Sequence, residues 1–194
     1  MTKYSLLTAA AGLAFVAMNA AHASEGTITF QGSVVASTCK INGGTNDLTV
    51  QLPRAATNQL ATVGATAGRT PFTLALSGCT TDKKGEDGTT VIPAPVKKVS
   101  VAFEPGPTVN GNGRLKLTGD DAAKGVEIAI LNDKYQPIRI GADTGMQGVQ
   151  VADIDTALDG TGTATLQFAA QYVATGPVTG GSANSNVTYS LTYP

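Results

Sequence analysis

The chain ends in "SNVTYSLTYP", Ser185 to Pro194, and these ten residues carry its most regular β-pattern. Val187, Tyr189, Leu191 and Tyr193 alternate with Asn186, Thr188, Ser190 and Thr192. That is the period of two that gives a strand one apolar and one polar face. Chain ends ordinarily fray. A strand so well patterned at the terminus therefore raises the question of what it serves.

Working back from it, the same alternation recurs in short runs separated by turn residues. Strands are predicted over Leu48 to Leu52, Phe72 to Ser77, Lys97 to Phe103, Arg114 to Leu117, Val126 to Leu131, Pro137 to Ile140, Thr163 to Val173 and Val187 to Tyr193, with a first one over Thr27 to Val35. Turn clusters such as Asn42-Gly43-Gly44, Lys84 to Gly88, Asn110 to Gly113 and Thr179-Gly180-Gly181 fall between them. Ala55 to Arg69 reads as a loop with one helical turn, because Thr57, Thr62, Val63 and Gly64 weaken a helix. Many short strands at roughly ten-residue spacing without a long amphipathic helix indicate an all-β sandwich of one domain.

The other end has the layout of a secretory leader. Lys3 supplies the positive charge, Leu6 to Ala17 the apolar core, and Ala21-His22-Ala23 a small-x-small cleavage site, so residues 1–23 are expected to be removed. The apolar core is too short to span a bilayer. Cleavage takes away Lys3, which leaves 12 basic residues of the original 13 against 14 acidic ones. A basic face for phosphates is missing, which argues against a nucleic-acid partner. Cleavage also removes His22, the only histidine. A Ser-His-Asp or Cys-His nucleophile and a His-ligated metal are excluded with it, and no catalysis, small-molecule substrate or cofactor is expected. The two cysteines, Cys39 and Cys79, form an even pair in an exported chain and read as a disulfide, their spacing being unlike a CxxC redox or metal motif.

The remaining polar clusters have ordinary readings. Asp153-Ile154-Asp155 with Asp159-Gly160 lacks the ligand order of an EF-hand and reads as a solvated loop. Asp120-Asp121 reads as a turn or helix cap. Lys83-Lys84 and Lys97-Lys98 are placed beside turns or strand edges, where charge discourages edge-to-edge association. Asn186-Val187-Thr188 matches a glycosylation acceptor but lies in a predicted strand.

The start of the mature chain is the counterpart of its end. In Ser24 to Val35, the positions Gly26, Ile28, Phe30, Gly32 and Val34 share one face, and the segment precedes Cys39, where the disulfide-anchored body begins. "GTITFQGSVVASTC" (Gly26 to Cys39), "QFAAQYVATG" (Gln167 to Gly176) and the final "YSLTYP" together resemble the structural pilin subunits of chaperone–usher fimbriae, close to the type 1 major pilin group. Gly181, fourteenth from the end, and the penultimate Tyr193 fit the same likeness.

The resemblance implies an incomplete immunoglobulin-like β-sandwich, a six-strand pilin domain over 36–194 that lacks its seventh strand. Its open groove would be bordered by the first strand and the C-terminal one. The groove would be filled by donor-strand exchange, a form of β-strand addition for which pilins are themselves a standard example. Residues 24–35 would form the donor extension, with Gly26, Ile28, Phe30 and Gly32 entering the groove of a neighbouring copy or related pilin. Ile28 and Phe30 would each contribute about 1.5 to 3 kcal/mol when fully buried. Gly181, Val187, Tyr189, Leu191, Tyr193 and Pro194 would form the strand presented first to a periplasmic chaperone, at an outer-membrane usher, and then to the next subunit. The expected product is a surface fimbrium that supports cell adhesion, with a minor adaptor subunit or a pilus-tip adhesin as the alternatives.

Overall fold

The computed structural model describes residues 28–32, 34, 39–94, 96–156 and 161–194. The predicted leader, residues 1–23, and the donor position Gly26 lie outside the described residues. The chain divides into two units, Met1–Val34 and Val35–Pro194. In the first, the described residues 28–32 and 34 belong to no strand, and Ile28, Phe30 and Val34 are exposed.

Among its described residues the second unit has eleven strand segments: β1 (Lys40–Ile41), β2 (Thr66–Cys79), β3 (Lys83–Lys84), β4 (Val91–Ile92), β5 (Lys98–Phe103), β6 (Leu115–Lys116), β7 (Val126–Leu131), β8 (Ala152–Asp153), β9 (Asp155–Thr156), β10 (Gly162–Ala174) and β11 (Tyr189–Thr192). The larger sheet has the order β1-β2-β10-β7-β6, with β9 attached to β10. The smaller sheet is β11-β5-β8, and β3 and β4 form a separate pair. Every pairing between these strands is antiparallel, and an isolated bridge between Ala122 and Ser182 is parallel. Among the described residues no helix is long and apolar enough to cross a membrane.

Alternation decides which side chains form the core. Ala164, Leu166 and Phe168 of β10 are buried while Thr165 and Gln167 between them are exposed. Leu74 and Leu76 of β2, Ile128 and Ile130 of β7, and Val99, Val101 and Phe103 of β5 join them in one apolar cluster, so the two sheets face each other. The Phe103 and Phe168 rings meet edge to face across the interior with centroids 5.4 Å apart, and Phe72 stacks on Phe168 at the same distance. Cys39 and Cys79 form the disulfide, tying the residue before β1 to the last residue of β2.

Besides Thr27 to Val35, whose described residues form no strand, three predicted elements differ from those observed. Pro137 to Ile140 is no strand. Pro137 has no N–H to offer a ladder, and beyond an isolated bridge between Pro137 and Leu131 the segment's N–H groups go to three different partners, Ile138 N to Ile130 O, Arg139 N to Gln147 O and Ile140 N to Gly113 O. Leu48 to Leu52 is unpaired rather than a strand in a sheet. The predicted loop at Ala55 to Arg69 contains its single helical turn as a 3-10 segment, Thr57–Leu60, with the Gln59 side chain accepting from Ala56 N at 2.9 Å. Its last residues, however, already belong to β2, which starts at Thr66. There a bulge opposite Gln171 is turned by Gly68 at φ 66°, where a Cβ would sit 2.9 Å from the Tyr172 ring.

Candidate strand-acceptor groove

The two sheets leave one side of the sandwich open. Its first rim is residues 46–53, where Leu48, Val50 and Leu52 line the opening along its length and the exposed Thr49 and Gln51 border only its wider part. Among the described residues no strand pairs with residues 45–55. The alternation that predicts a strand here is genuine; what this rim lacks is a partner.

The second rim is the C-terminal segment from Ser182 to Thr192. Along one edge it is hydrogen-bonded throughout. Ala123 N donates to Ser182 O at 2.8 Å, Thr118 N to Asn184 O at 2.8 Å, the Thr108 hydroxyl to Asn186 O at 2.8 Å, and Glu104 N to Thr188 O at 2.9 Å. From Tyr189 to Thr192 the rim pairs with β5, in register Tyr189 opposite Phe103 and Thr192 opposite Ser100. β11 stands at the end of its sheet, so its other edge faces the opening.

Between the rims lie two adjoining cavities, which share Leu48, Val50, Leu52, Ile128, Ser185 and Asn186 in their walls. The narrower, about 310 Å³, is floored by Phe72, Leu74, Phe103, Leu115, Ile130 and Ala170. The wider, about 910 Å³, reaches Leu60 and Tyr172 below and Arg54, Thr179, Gly180 and Gly181 at its margin. The opening therefore exposes residues of the core itself. The contrast between neighbouring strands measures this: Val99 and Val101 of β5 are fully buried, whereas Val187, Tyr189 and Leu191 remain half-buried although they have the same inward pattern.

Each predicted acceptor residue can now be placed. Val187 and Tyr189 line the narrow cavity, and Gly181 the wide one. Gly181 packs directly on the Asp121–Ala123 backbone: a Cβ there would lie 2.5 Å from Ala123 N and closer still to Asp121 O. Only glycine fits, and this close approach lets the rim begin its bonded edge. Leu191 packs against the core without lining either cavity. Tyr193 and Pro194 line a separate cavity of about 260 Å³ with Thr144, Gly148 and Val149. Burial raises the pKa of Tyr189, with the negative charge of Asp47 adding to the effect, and burial raises that of Tyr172 as well.

Sequence reasoning missed the residue that holds the second rim's support in place. Gln147 is 3% exposed, and its amide pairs with β5 at Phe103, beyond the two residues that β8 covers, as a strand would. Phe103 N donates to Gln147 Oε1 at 2.9 Å, and Gln147 Nε2 donates to Phe103 O at 2.9 Å and to Ala142 O at 3.0 Å. A lone glutamine in a loop carries no sequence signal for such a role. Among the described residues no cluster of His, Cys, Asp or Glu is placed to hold a metal ion. Asp153, read as part of a solvated loop, pairs with Lys98 at 2.6 Å, and Asp121 accepts from the Ser182 hydroxyl at 2.8 Å.

An all-β sandwich open along one side is what the resemblance implies, and comparison with known proteins identifies the family. The family model described as fimbrial protein matches residues 28–194. The chain belongs to the fimbrial protein family. It is 35% identical to the F17 fimbrial protein of Escherichia coli, over 93% of this chain and 94% of that one. It is 37% identical to the major fimbrial subunit SMF-1 of Stenotrophomonas maltophilia, over 90% and 95%. Among solved structures it superposes on the P pilus rod subunit PapA with a TM-score of 0.57 at 20% identity, covering 81% of this chain and all of that one. The fold is thus the incomplete immunoglobulin-like sandwich of chaperone–usher pilins.

Proposed function

We propose that this chain is a structural subunit of a surface fimbria and that it polymerises by strand donation. The groove carries the reading: a rim bonded along one edge only, above an apolar floor that water would otherwise reach. An added strand satisfies that edge and covers the floor in one step. The donor is the leading segment of a neighbouring copy, with Gly26, Ile28, Phe30 and Gly32 facing inward and residues 24–35 forming the arm. A periplasmic chaperone holds the groove until an outer-membrane usher exchanges it for that arm, and the fibre emerges at the cell surface. The family assignment and the names of the curated relatives, major fimbrial subunits among them, support a structural rather than a catalytic role.

The test is Phe30→Asp, which places a charge where the arm must be buried. The variant is expected to be exported and to cap fibre growth, so that electron microscopy of the cell surface finds fibres short or missing. Fibres of normal length built from this variant would refute the donor assignment.

A further inference from the structure

Tyr189 stands at the narrow end of the groove. The rims run in opposite directions: the narrow cavity joins residues 46–52 to 185–189, and the wide one joins residues 48–57 to 178–186. At the narrow end the Tyr189 hydroxyl donates to Asn46 O at 2.6 Å, a hydrogen bond that crosses from one rim to the other. The ring itself tilts against Phe103 of the floor with centroids 6.5 Å apart. The phenol thus occupies the floor and ties up a main-chain acceptor of a rim that has no strand partner.

A guest strand between the rims directs alternate side chains to the floor. At the level of Tyr189 that space is already taken by a ring fastened to the far side. We propose that Tyr189 is a latch: its phenol closes the narrow end of the empty groove on Asn46 and must let go before a guest strand can pair along β11 as far as Thr192. This inference rests on the strand-acceptor reading above. The latch adds the same cost to every guest that completes the groove, and it gives the unfilled subunit one stabilising bond that the filled one does not need.

The experiment uses the mature chain refolded without partners and a synthetic peptide of residues 24–35 as the probe. Tyr189→Phe keeps the ring and removes only the hydroxyl. One solvent-exposed hydrogen bond lost from the empty state alone tightens peptide binding about twofold to fivefold. The free variant is expected to melt below the wild type, while the two peptide-bound forms melt together. Equal peptide affinities, or a bound form of the variant destabilised as much as its free form, would overturn the latch. Asn46→Ala retains the acceptor carbonyl and is expected to behave as the wild type; tightening by that variant would equally count against the latch. Binding of the peptide by none of these proteins would instead overturn the groove reading itself.

Discussion

Gln147→Leu tests whether the rim's support depends on one side chain imitating a strand. The substitution keeps approximate volume and removes both ends of the amide pair with Phe103, whose backbone N–H and C=O are buried beneath it. Each orphaned buried group costs about 1 to 3 kcal/mol. Burying the leucine instead of an amide returns roughly 1 kcal/mol. The net expectation is a loss of about 3 kcal/mol. For a chain of this size that lowers the melting temperature by about 6 to 12 °C. Urea denaturation followed by tyrosine fluorescence reads the change directly, with the m-value unaltered. Gln147→Glu is the companion: it keeps the acceptor for Phe103 N–H but turns a carboxylate toward Phe103 O, so its loss is larger at neutral pH and partly recovered in acid, where the protonated group donates again. A Gln147→Leu protein within 0.5 kcal/mol of the wild type would refute the reasoning.

Three further outcomes are expected. Gly181→Ala forces a methyl group into the Asp121–Ala123 backbone and should cost about 1 to 3 kcal/mol as overpacking does; a denaturation midpoint equal to the wild type's would show that the close approach is dispensable. Replacing Cys39 and Cys79 by serine opens a loop of sequence separation 40 and should lower stability by about 4 kcal/mol on the chain-entropy argument, to be read as the difference between the wild type and the variant in calorimetry. The Asp87 carboxylate is held at a pKa of about 2 by the hydroxyl and amide of Thr90 and the amide of Thr89. Its contribution to the turn between β3 and β4 is therefore complete above pH 4 and lost as the pH falls through 2. The amide shifts of Thr89 and Thr90 should titrate with that midpoint, and a midpoint near 4 would contradict it.

Much of this architecture is legible from alternation alone. β7 coincides with its predicted span, and β5, β10 and β11 lie within a few residues of theirs: the first half of β10 and β11 alternate, while β5 and β7 are apolar runs buried on both faces beyond their first residues. The start of β2 escapes notice because Thr66 to Pro71 has no alternating apolar face. The two-residue strands β3, β4, β8 and β9 are too short for any period to register, and Asp153 and Asp155 disguise two of them as loop. Leu48 to Leu52 is the instructive case. Its pattern is that of a strand with a buried face, and the folded chain leaves it unpaired. The groove is legible at its C-terminal rim for the same reason, whereas Gln147 and the Tyr189–Asn46 bond depend on spacing that only the fold creates.

The position of the disulfide has a mechanical consequence. Cys39 stands immediately before β1, which holds β2 by only two residue pairs and would peel apart easily under tension. Because Cys39 is bonded to Cys79, a pull arriving from the N-terminal side bypasses that weak seam and loads the end of β2 lengthwise. The load is then shared in shear by the β2–β10 ladder, which runs from Cys79 to Thr66. A filament stretched by flow would find its subunits braced along their longest seam.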